Sequence, residues 1–153
     1  SNAHKAEHGI EVELPIIARL APETQVVGIT VGGGDLQRCE QFADALAGVI
    51  REMDETPLLL ISGDMNHYAN EDETRRLDAL ALADLDRLDE DALFQTCRAN
   101  HISMCGMVPA VIILKTLKKL GSIHQSRQVG YATSADRTGD TSKVVGYAGR
   151  FFQ

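Results

Sequence analysis

The sequence predicts one α/β domain with a largely parallel central sheet flanked by helices. The apolar runs Val26–Val31 and Pro57–Ile61 have the β-branched or aliphatic composition of buried strands. Between them, apolar residues recur every three or four positions from Leu36 to Met53, which is typical of an amphipathic helix facing a sheet. A strand, a helix and a second strand in this order predict a parallel pair with a right-handed crossover.

Helical segments follow the second predicted strand. The first two are predicted over Glu71–Arg87 and Asp89–Ala99, and the second of these begins with acidic residues. Pro109 stands where the first turn of a third helix accepts a proline, and Gly121 is a plausible end for that helix.

The last part of the chain has the composition of two strands. We expect Gln128–Ser134 and Lys143–Phe152 to join the same sheet or to pair as a hairpin. The intervening residues Ala135–Thr141 are predicted to form a turn or loop.

Composition narrows the class of protein. The formal net charge of −7 argues against a general nucleic-acid binder, and no apolar stretch is long enough to span a bilayer. The three cysteines form no CxxC pair and no signal peptide is visible, so we expect a cytoplasmic protein. Ser1–Ala3 resembles a remnant of tag cleavage, which leaves residues 4–153 as the domain.

Asp64 and His67 are the strongest candidates for chemistry. They follow the apolar run Pro57–Ile61, and ligands of open α/β sheets bind at the carboxyl ends of strands. Both side chains can ionise, and an Asp that steers a His can serve acid–base catalysis. The alternatives are a helix N-cap or turn residue for Asp64 and an ordinary loop histidine for His67.

Two further positions have weaker patterns. His8 lies among acidic residues that could orient its ring, although a charged, solvated segment would have the same composition. Cys105 precedes the Pro109 helix, whose dipole would favour a thiolate, but most free cysteines are small buried hydrophobes. Cys39 and Cys97 fall on the apolar stripes of helices, so we assign both to packing.

The glycine-rich segment Gly32–Gly34 lacks the spacing of a phosphate-binding loop. It follows a predicted strand, but it has neither the GxGxxG pattern nor a following Lys-Ser/Thr pair. We therefore expect a tight turn from strand to helix.

Four separated motifs together resemble the Memo family (mediator of cell motility), including its prokaryotic branch, the AmmeMemoRadiSam system protein B. In order along the chain they are EHGIEVELP, SGDMNHYA, ISMCGMVPA and TSADRTGDTSKVVGYAG. The resemblance implies a fold like that of the class III extradiol dioxygenases, which use non-haem iron. It also implies that this sequence begins partway into the family's domain, so that the N-terminal part is missing.

The resemblance also implies a set of site residues. His8, Cys105 and His67 match positions of the family's metal pocket, with Gly9 in place of a serine that usually follows the first histidine. Asp64 and His67 match an acid–base pair beside the metal. A further histidine of the family's pocket has no counterpart in this chain.

Three functions remain open. The first is a metal-dependent redox or oxygenase-like enzyme with iron, or with copper or zinc, because imidazole and thiolate ligands suit all three. The second is a peptide- or protein-binding module on a dioxygenase-like scaffold without catalysis, and the third is an inactive remnant that holds no metal.

The resemblance also leads to an expectation about partners. We expect an unknown small molecule or peptide as ligand, with no nucleic acid and no membrane. A missing N-terminal part would uncover apolar surface, so we also expect a homo-oligomer or a partner that supplies that part.

Overall fold

A computed structural model describes residues 7–153, and these form a mixed α/β structure. The chain divides into two compact units, one up to Gly33 and one from Gly34 to Gln153. The predicted tag remnant and residues 4–6 lie outside the described residues, and the single domain over residues 4–153 stays a prediction.

The helices are α1 (His8–Leu20), α2 (Leu36–Arg51), α3 (Glu71–Asp86), α4 (Glu90–Ala99), α5 (Met107–Leu120) and α6 (Ala135–Thr138). The strands are β1 (His67–Ala69), β2 (Ser126–Thr133) and β3 (Val144–Phe152).

The first unit contains helix α1, which the sequence analysis did not predict. Glu7 caps it, since its carboxylate accepts a hydrogen bond from the Gly9 amide at 3.0 Å. Pro15 lies inside the helix, which continues to Leu20 although proline has no amide hydrogen to donate to the preceding turn. No residue of α1 is buried, and its apolar side chains Val12, Ile16 and Leu20 are exposed.

The core of the second unit lies between helices. One face of α2, formed by Cys39, Ala43, Ala47 and Ile50, is buried, and α2 packs on α5. Helix α5 in turn packs on α4, and α4 packs on α3. Leu93 and Leu114 are fully buried between these helices. The helices of this layer were predicted, but the apolar stripe of α2, which was expected to face a sheet, packs on helix α5 instead.

Capping residues set several helix ends. Asp35 caps α2 by accepting a hydrogen bond from the Arg38 amide at 2.8 Å, and Asp89 caps α4 by accepting one from Ala92 at 2.9 Å. Gly121 ends α5 with a positive φ of 66°. These side chains and this glycine satisfy backbone groups that a helix leaves open.

The sheet is small and antiparallel, in the order β1–β3–β2. Strands β2 and β3 form the predicted hairpin, in which Tyr131 lies opposite Ala148. The predicted loop between them contains the short helix α6. Helix α3 packs on all three strands and joins the sheet to the helical layer.

The prediction of a largely parallel sheet needs correction for this part of the chain. Every strand pair among residues 7–153 is antiparallel, and neither Val26–Val31 nor Pro57–Ile61 forms a strand there. Val27 is 86% exposed and Leu58 is 91% exposed. An apolar run becomes a buried strand only when a neighbouring strand pairs with its backbone, and the described residues provide none for either run.

Within the described residues, no helix has both the length and the apolar character needed to cross a membrane.

Candidate functional site

Asp64, His67 and Cys105 come together in the second unit. One ligand atom from each side chain lies within 4.8 Å of the others, and Asp64 Oδ2 is 3.4 Å from His67 Nε2. Carboxylate, imidazole and thiolate are all metal ligands in proteins. Asp64 and His67, which are three positions apart in the sequence, therefore meet a cysteine that is about forty positions further along the chain.

Two chain segments carry these side chains. The first, residues 62–67, leads into β1, and the second, residues 102–106, leads into α5. The Asp64 amide donates a hydrogen bond to Cys105 Sγ at 3.0 Å, so the two segments are joined at the site itself. The Cys105 thiol is exposed, and the side chain of His67 keeps 19% of its surface accessible. A ligand can therefore reach the group from solvent.

The two segments approach each other through a glycine pair. A Cβ atom on Gly63 would lie 2.6 Å from the Cα atom and 2.7 Å from the amide nitrogen of Gly106. Such contacts are sterically forbidden, and the obstacle is backbone that cannot rotate away. Glycine at position 63 is thus a condition for bringing Asp64 and Cys105 together.

Asn66 and Ser103 connect the same segments next to the site. Ser103 donates to Asn66 Oδ1 from both its amide and its hydroxyl, each at 3.1 Å. The His67 amide donates to Ser103 Oγ at 2.8 Å. Asn66 is only 2% exposed, although the candidate ligands beside it are open to solvent.

A buried carboxylate lies behind this pair. Asp78 of α3 is fully buried and accepts hydrogen bonds from the Asn66 amide and from the Tyr131 hydroxyl, both at 2.8 Å. Burial raises the pKa of Asp78, and the two hydrogen bonds oppose that shift. A Cβ atom on Gly146 would lie 1.9 Å from Asp78 Oδ2, so only glycine leaves room for the carboxylate.

Tyr68 forms an irregularity in β1 directly after His67. The pairing with β3 shifts between His67 and Ala69, and Tyr68 has a positive φ of 65°. Its side chain is exposed, and the centre of its ring is 5.6 Å from that of His67. Bulges of this kind re-aim neighbouring side chains and often lie beside functional sites.

The remaining predicted site residues have different environments. His8 lies in the first unit, where its Nδ1 is 3.0 Å from Glu11 Oε2 and its side chain is 85% exposed. It is not a member of the three-residue group, and its role as a metal ligand stays a prediction. Cys39 and Cys97 are buried, and burial raises the pKa of the Cys97 thiol to about 12, which fits packing better than metal binding.

Sequence reasoning missed part of the site. It assigned Asp64 an acid–base role and did not weigh it as a metal ligand, although its carboxylate belongs to the ligand group. It also missed Asn66, Ser103 and Asp78. The first two lie inside the quoted motifs and could have been noticed there, whereas Asp78 is one of several acidic residues of a charged helix and carries no distinguishing signal.

Comparison with known proteins identifies the family. The profile of the family described as Memo-like protein matches residues 1–151. A MEMO1 family protein of Aquifex aeolicus is 36% identical over 98% of this chain and 55% of its own length. MEMO1 family proteins of Methanopyrus kandleri and Methanococcus maripaludis are 32% and 33% identical, over 99% and 96% of this chain and 53% of their own lengths. The chain therefore spans about half the length of these curated relatives. A family profile that covers nearly every residue, together with these relatives, means that the chain belongs to the Memo family.

Proposed function

We propose that this chain is a metal-binding Memo family protein whose centre is held by Asp64, His67 and Cys105 and serves redox or oxygenase-like chemistry. The observation that supports this function is the convergence of the three ligand atoms within 4.8 Å. Of the metals that the sequence analysis named, iron is our first choice, followed by copper and zinc.

The donor set fits such an ion. Bonds of about 2.0–2.3 Å to one metal place its ligand atoms within roughly 4 Å of each other. The 3.4 Å between Asp64 Oδ2 and His67 Nε2 already meets this condition. Cys105 Sγ lies within 4.8 Å of both other ligand atoms, so an adjustment of about 1 Å would bring all three to this separation when an ion binds.

The protein side chains have distinct roles in this proposal. A bound iron or copper ion would supply redox and Lewis-acid chemistry. Cys105 would hold the ion through its sulfur, and a sulfur ligand favours copper, zinc or redox-active iron over magnesium or calcium. Asp64 and His67 would hold the ion through Oδ2 and Nε2, whose separation is 3.4 Å. When Nε2 is not on the ion, it would hold a proton for a reacting ligand, and Asp64 would orient the imidazole. The role of His8 as a metal ligand is supported only by the motif in which it lies, and it stays a prediction.

The dioxygenase-like fold also belongs to this proposal. The exposed apolar runs Val26–Val31 and Pro57–Ile61 would be strands of a parallel sheet in a full-length family member. This is supported by their composition and by the half of the relatives' length that the chain does not match. Amide hydrogen exchange on the Aquifex aeolicus relative checks it. We expect slow exchange in the segment that corresponds to residues 57–61, and fast exchange there would contradict the proposal.

Metal analysis tests the function. The chain is purified without oxygen and titrated separately with Fe²⁺, Cu⁺ and Zn²⁺, and metal content is measured by elemental analysis. We expect about one ion per chain, with losses in affinity of at least about tenfold for Asp64→Ala, His67→Ala and Cys105→Ser.

His124→Ala is the matched control, because His124 is an exposed histidine outside the ligand group. It should bind metal as the unchanged chain does. A chain that binds none of the three metals, or binding that survives the three site substitutions together, would refute the proposed centre.

A further inference from the structure

We propose that Asn66 and Ser103 are positioning residues that hold the two ligand-bearing segments together at the metal centre. This inference rests on the proposed function, since it assigns a task to residues that touch no ligand. Asn66 directly precedes His67, and Ser103 lies two positions before Cys105. Each therefore fixes the backbone next to one of the metal-binding side chains.

Three hydrogen bonds form the link between the segments. The amide and the hydroxyl of Ser103 both donate to Asn66 Oδ1, and the hydroxyl oxygen accepts from the His67 amide. Because a hydroxyl carries one hydrogen and two lone pairs, Ser103 Oγ can donate to Asn66 and accept from His67 at once. The serine thus spans from one segment to the backbone of the residue that supplies the imidazole.

Asn66 is anchored on its other sides. Its amide donates to Asp78 Oδ1 at 2.8 Å, and its carbonyl oxygen accepts from the Gly146 amide at 3.0 Å. Its side-chain nitrogen lies 3.5 Å from Thr74 Oγ1, which sets the orientation of the amide group. Asp78 and Thr74 belong to α3 and Gly146 to β3, so the link is attached to the rigid elements of the second unit.

This arrangement differs from ordinary core packing in where its polar groups point. Asn66 is 2% exposed, belongs to one ligand-bearing segment and accepts two hydrogen bonds from Ser103 of the other, while the candidate ligands remain accessible. Hydrogen bonds around a metal ligand fix its orientation, and their loss typically lowers affinity by about 10–100-fold. A merely structural role would predict lower stability with unchanged metal binding in the folded protein.

Ser103→Ala tests the link, with Ser103→Thr as the conservative variant that keeps the hydroxyl. The first readout is metal-free: the exchange rate of the Asp64 amide, which donates to Cys105 Sγ and makes no direct contact with the altered atom. We expect exchange to be about tenfold faster in Ser103→Ala, since a loosened segment exposes its amides by local opening. Ser103→Thr should restore slow exchange.

The second readout is cobalt binding by the same full chain, with Co²⁺ as a spectroscopic probe. Ser103→Ala should bind Co²⁺ about 10–100-fold more weakly and with a shifted thiolate-to-cobalt absorption band, and Ser103→Thr should recover both. Ser142→Ala is the matched control, because the Ser142 hydroxyl donates to Asp140 in an exposed loop outside the two ligand-bearing segments. Urea unfolding confirms that each variant is folded.

The two readouts separate the two proposals. If Ser103→Ala leaves the Asp64 exchange rate unchanged, Asn66 and Ser103 do not hold the segments together, whatever the metal does. If exchange accelerates but cobalt affinity and absorption stay the same, the pair is structural and the positioning role is refuted. If exchange accelerates and the unchanged chain binds neither Co²⁺ nor the metals named above, the proposed function fails, and a positioning role toward metal fails with it.

Discussion

Residues 57–61 and residues 65–69 are close neighbours in the chain, yet they have opposite environments. The first segment is entirely apolar and belongs to no helix or strand, and its Leu58 and Leu60 are 91% and 54% exposed. The second contains the polar residues Asn66 and His67, but Met65 and Asn66 are 3% and 2% exposed. Burial in this part of the molecule therefore does not follow hydrophobicity.

Backbone pairing accounts for the difference. The Met65 amide donates a hydrogen bond to the Gly146 carbonyl at 2.9 Å, and the Gly146 amide donates one to the Asn66 carbonyl at 3.0 Å. The backbone of the second segment is therefore paired with β3. Within the described part of the chain, the backbone of residues 58–61 has no comparable partner. Partner strands for the backbone therefore decide which of the two segments is buried. The candidate site lies on and beside the segment that has such a partner.

The largest effect in these two segments should come from filling the space beside the buried segment, at Gly146. In Gly146→Ala, the new Cβ atom would lie 1.9 Å from Asp78 Oδ2 and 3.2 Å from Met65 Cβ. Overpacking of this kind should destabilise the protein by about 3 kcal/mol, measured by urea unfolding.

Gly48→Ala is the control, because nothing lies within 4 Å of its added atom and it stands in a helix. That control should stabilise slightly, by up to about 1 kcal/mol. Equal stability of Gly146→Ala and the unchanged chain would show that the segment is not packed as described.

Asp78→Asn should change the pH dependence of stability. Burial raises the pKa of Asp78 in the folded state above its ordinary value of 3.8. Its contribution to stability is therefore fully present below pH 3.8 and is lost as the pH rises through the folded-state pKa. The asparagine variant lacks this loss. The free energy of unfolding of Asp78→Asn should therefore rise relative to that of the unchanged chain between about pH 3 and pH 7.

Urea unfolding of both proteins at the two pH values measures the difference. Asp140→Asn is the control, since Asp140 is exposed and its pKa is lowered by hydrogen bonds from Ser142. A raised and a lowered pKa change stability with pH in opposite directions. The control should therefore lose stability relative to the unchanged chain as the pH rises. Parallel behaviour of the two variants would contradict the buried position of Asp78.

Much of this architecture could be predicted from the sequence, but unevenly. Periodicity and caps gave helices α2 to α5, because each buries one face against a neighbouring helix and the signal is local. The hairpin of β2 and β3 was also within reach, since its strands are neighbours in sequence. The predicted parallel sheet is absent among residues 7–153, because the composition of Val26–Val31 and Pro57–Ile61 favours strands but reveals no partner strand for them.

The candidate site divides in the same way. Asp64 and His67 were predicted together because three positions separate them. Cys105 was a weaker candidate from its place before the Pro109 helix, and only the resemblance to the family grouped it with His67. The contact of Gly63 with Gly106 and the burial of Asp78 arise from tertiary structure, so no spacing in the sequence indicates them.

Tyr68→Gly should stabilise the protein modestly. Tyr68 adopts a positive φ of 65°, which costs a non-glycine residue about 1 kcal/mol, and its exposed ring returns little packing energy. We expect a gain of up to about 1 kcal/mol by urea unfolding, since glycine relieves the strain but has more freedom to lose on folding. Tyr68→Phe keeps the strain and should leave stability unchanged. A loss of stability in the glycine variant would show that the ring makes contacts that outweigh the strain.

The smallest effect should come from the exposed segment, in Leu58→Ala. A leucine that is 91% exposed buries little surface on folding, so its truncation should change the free energy of unfolding by less than about 0.5 kcal/mol. Leu114→Ala removes the same atoms from a fully buried position and should cost about 2–5 kcal/mol. The pair is a direct measure of the contrast between the two environments.

If Leu58→Ala instead costs more than about 1 kcal/mol, the run is covered in solution, as the predicted homo-oligomer or partner would require. Sedimentation at micromolar concentration then decides between these, because a second copy makes the cost depend on protein concentration and a clean monomer excludes self-association.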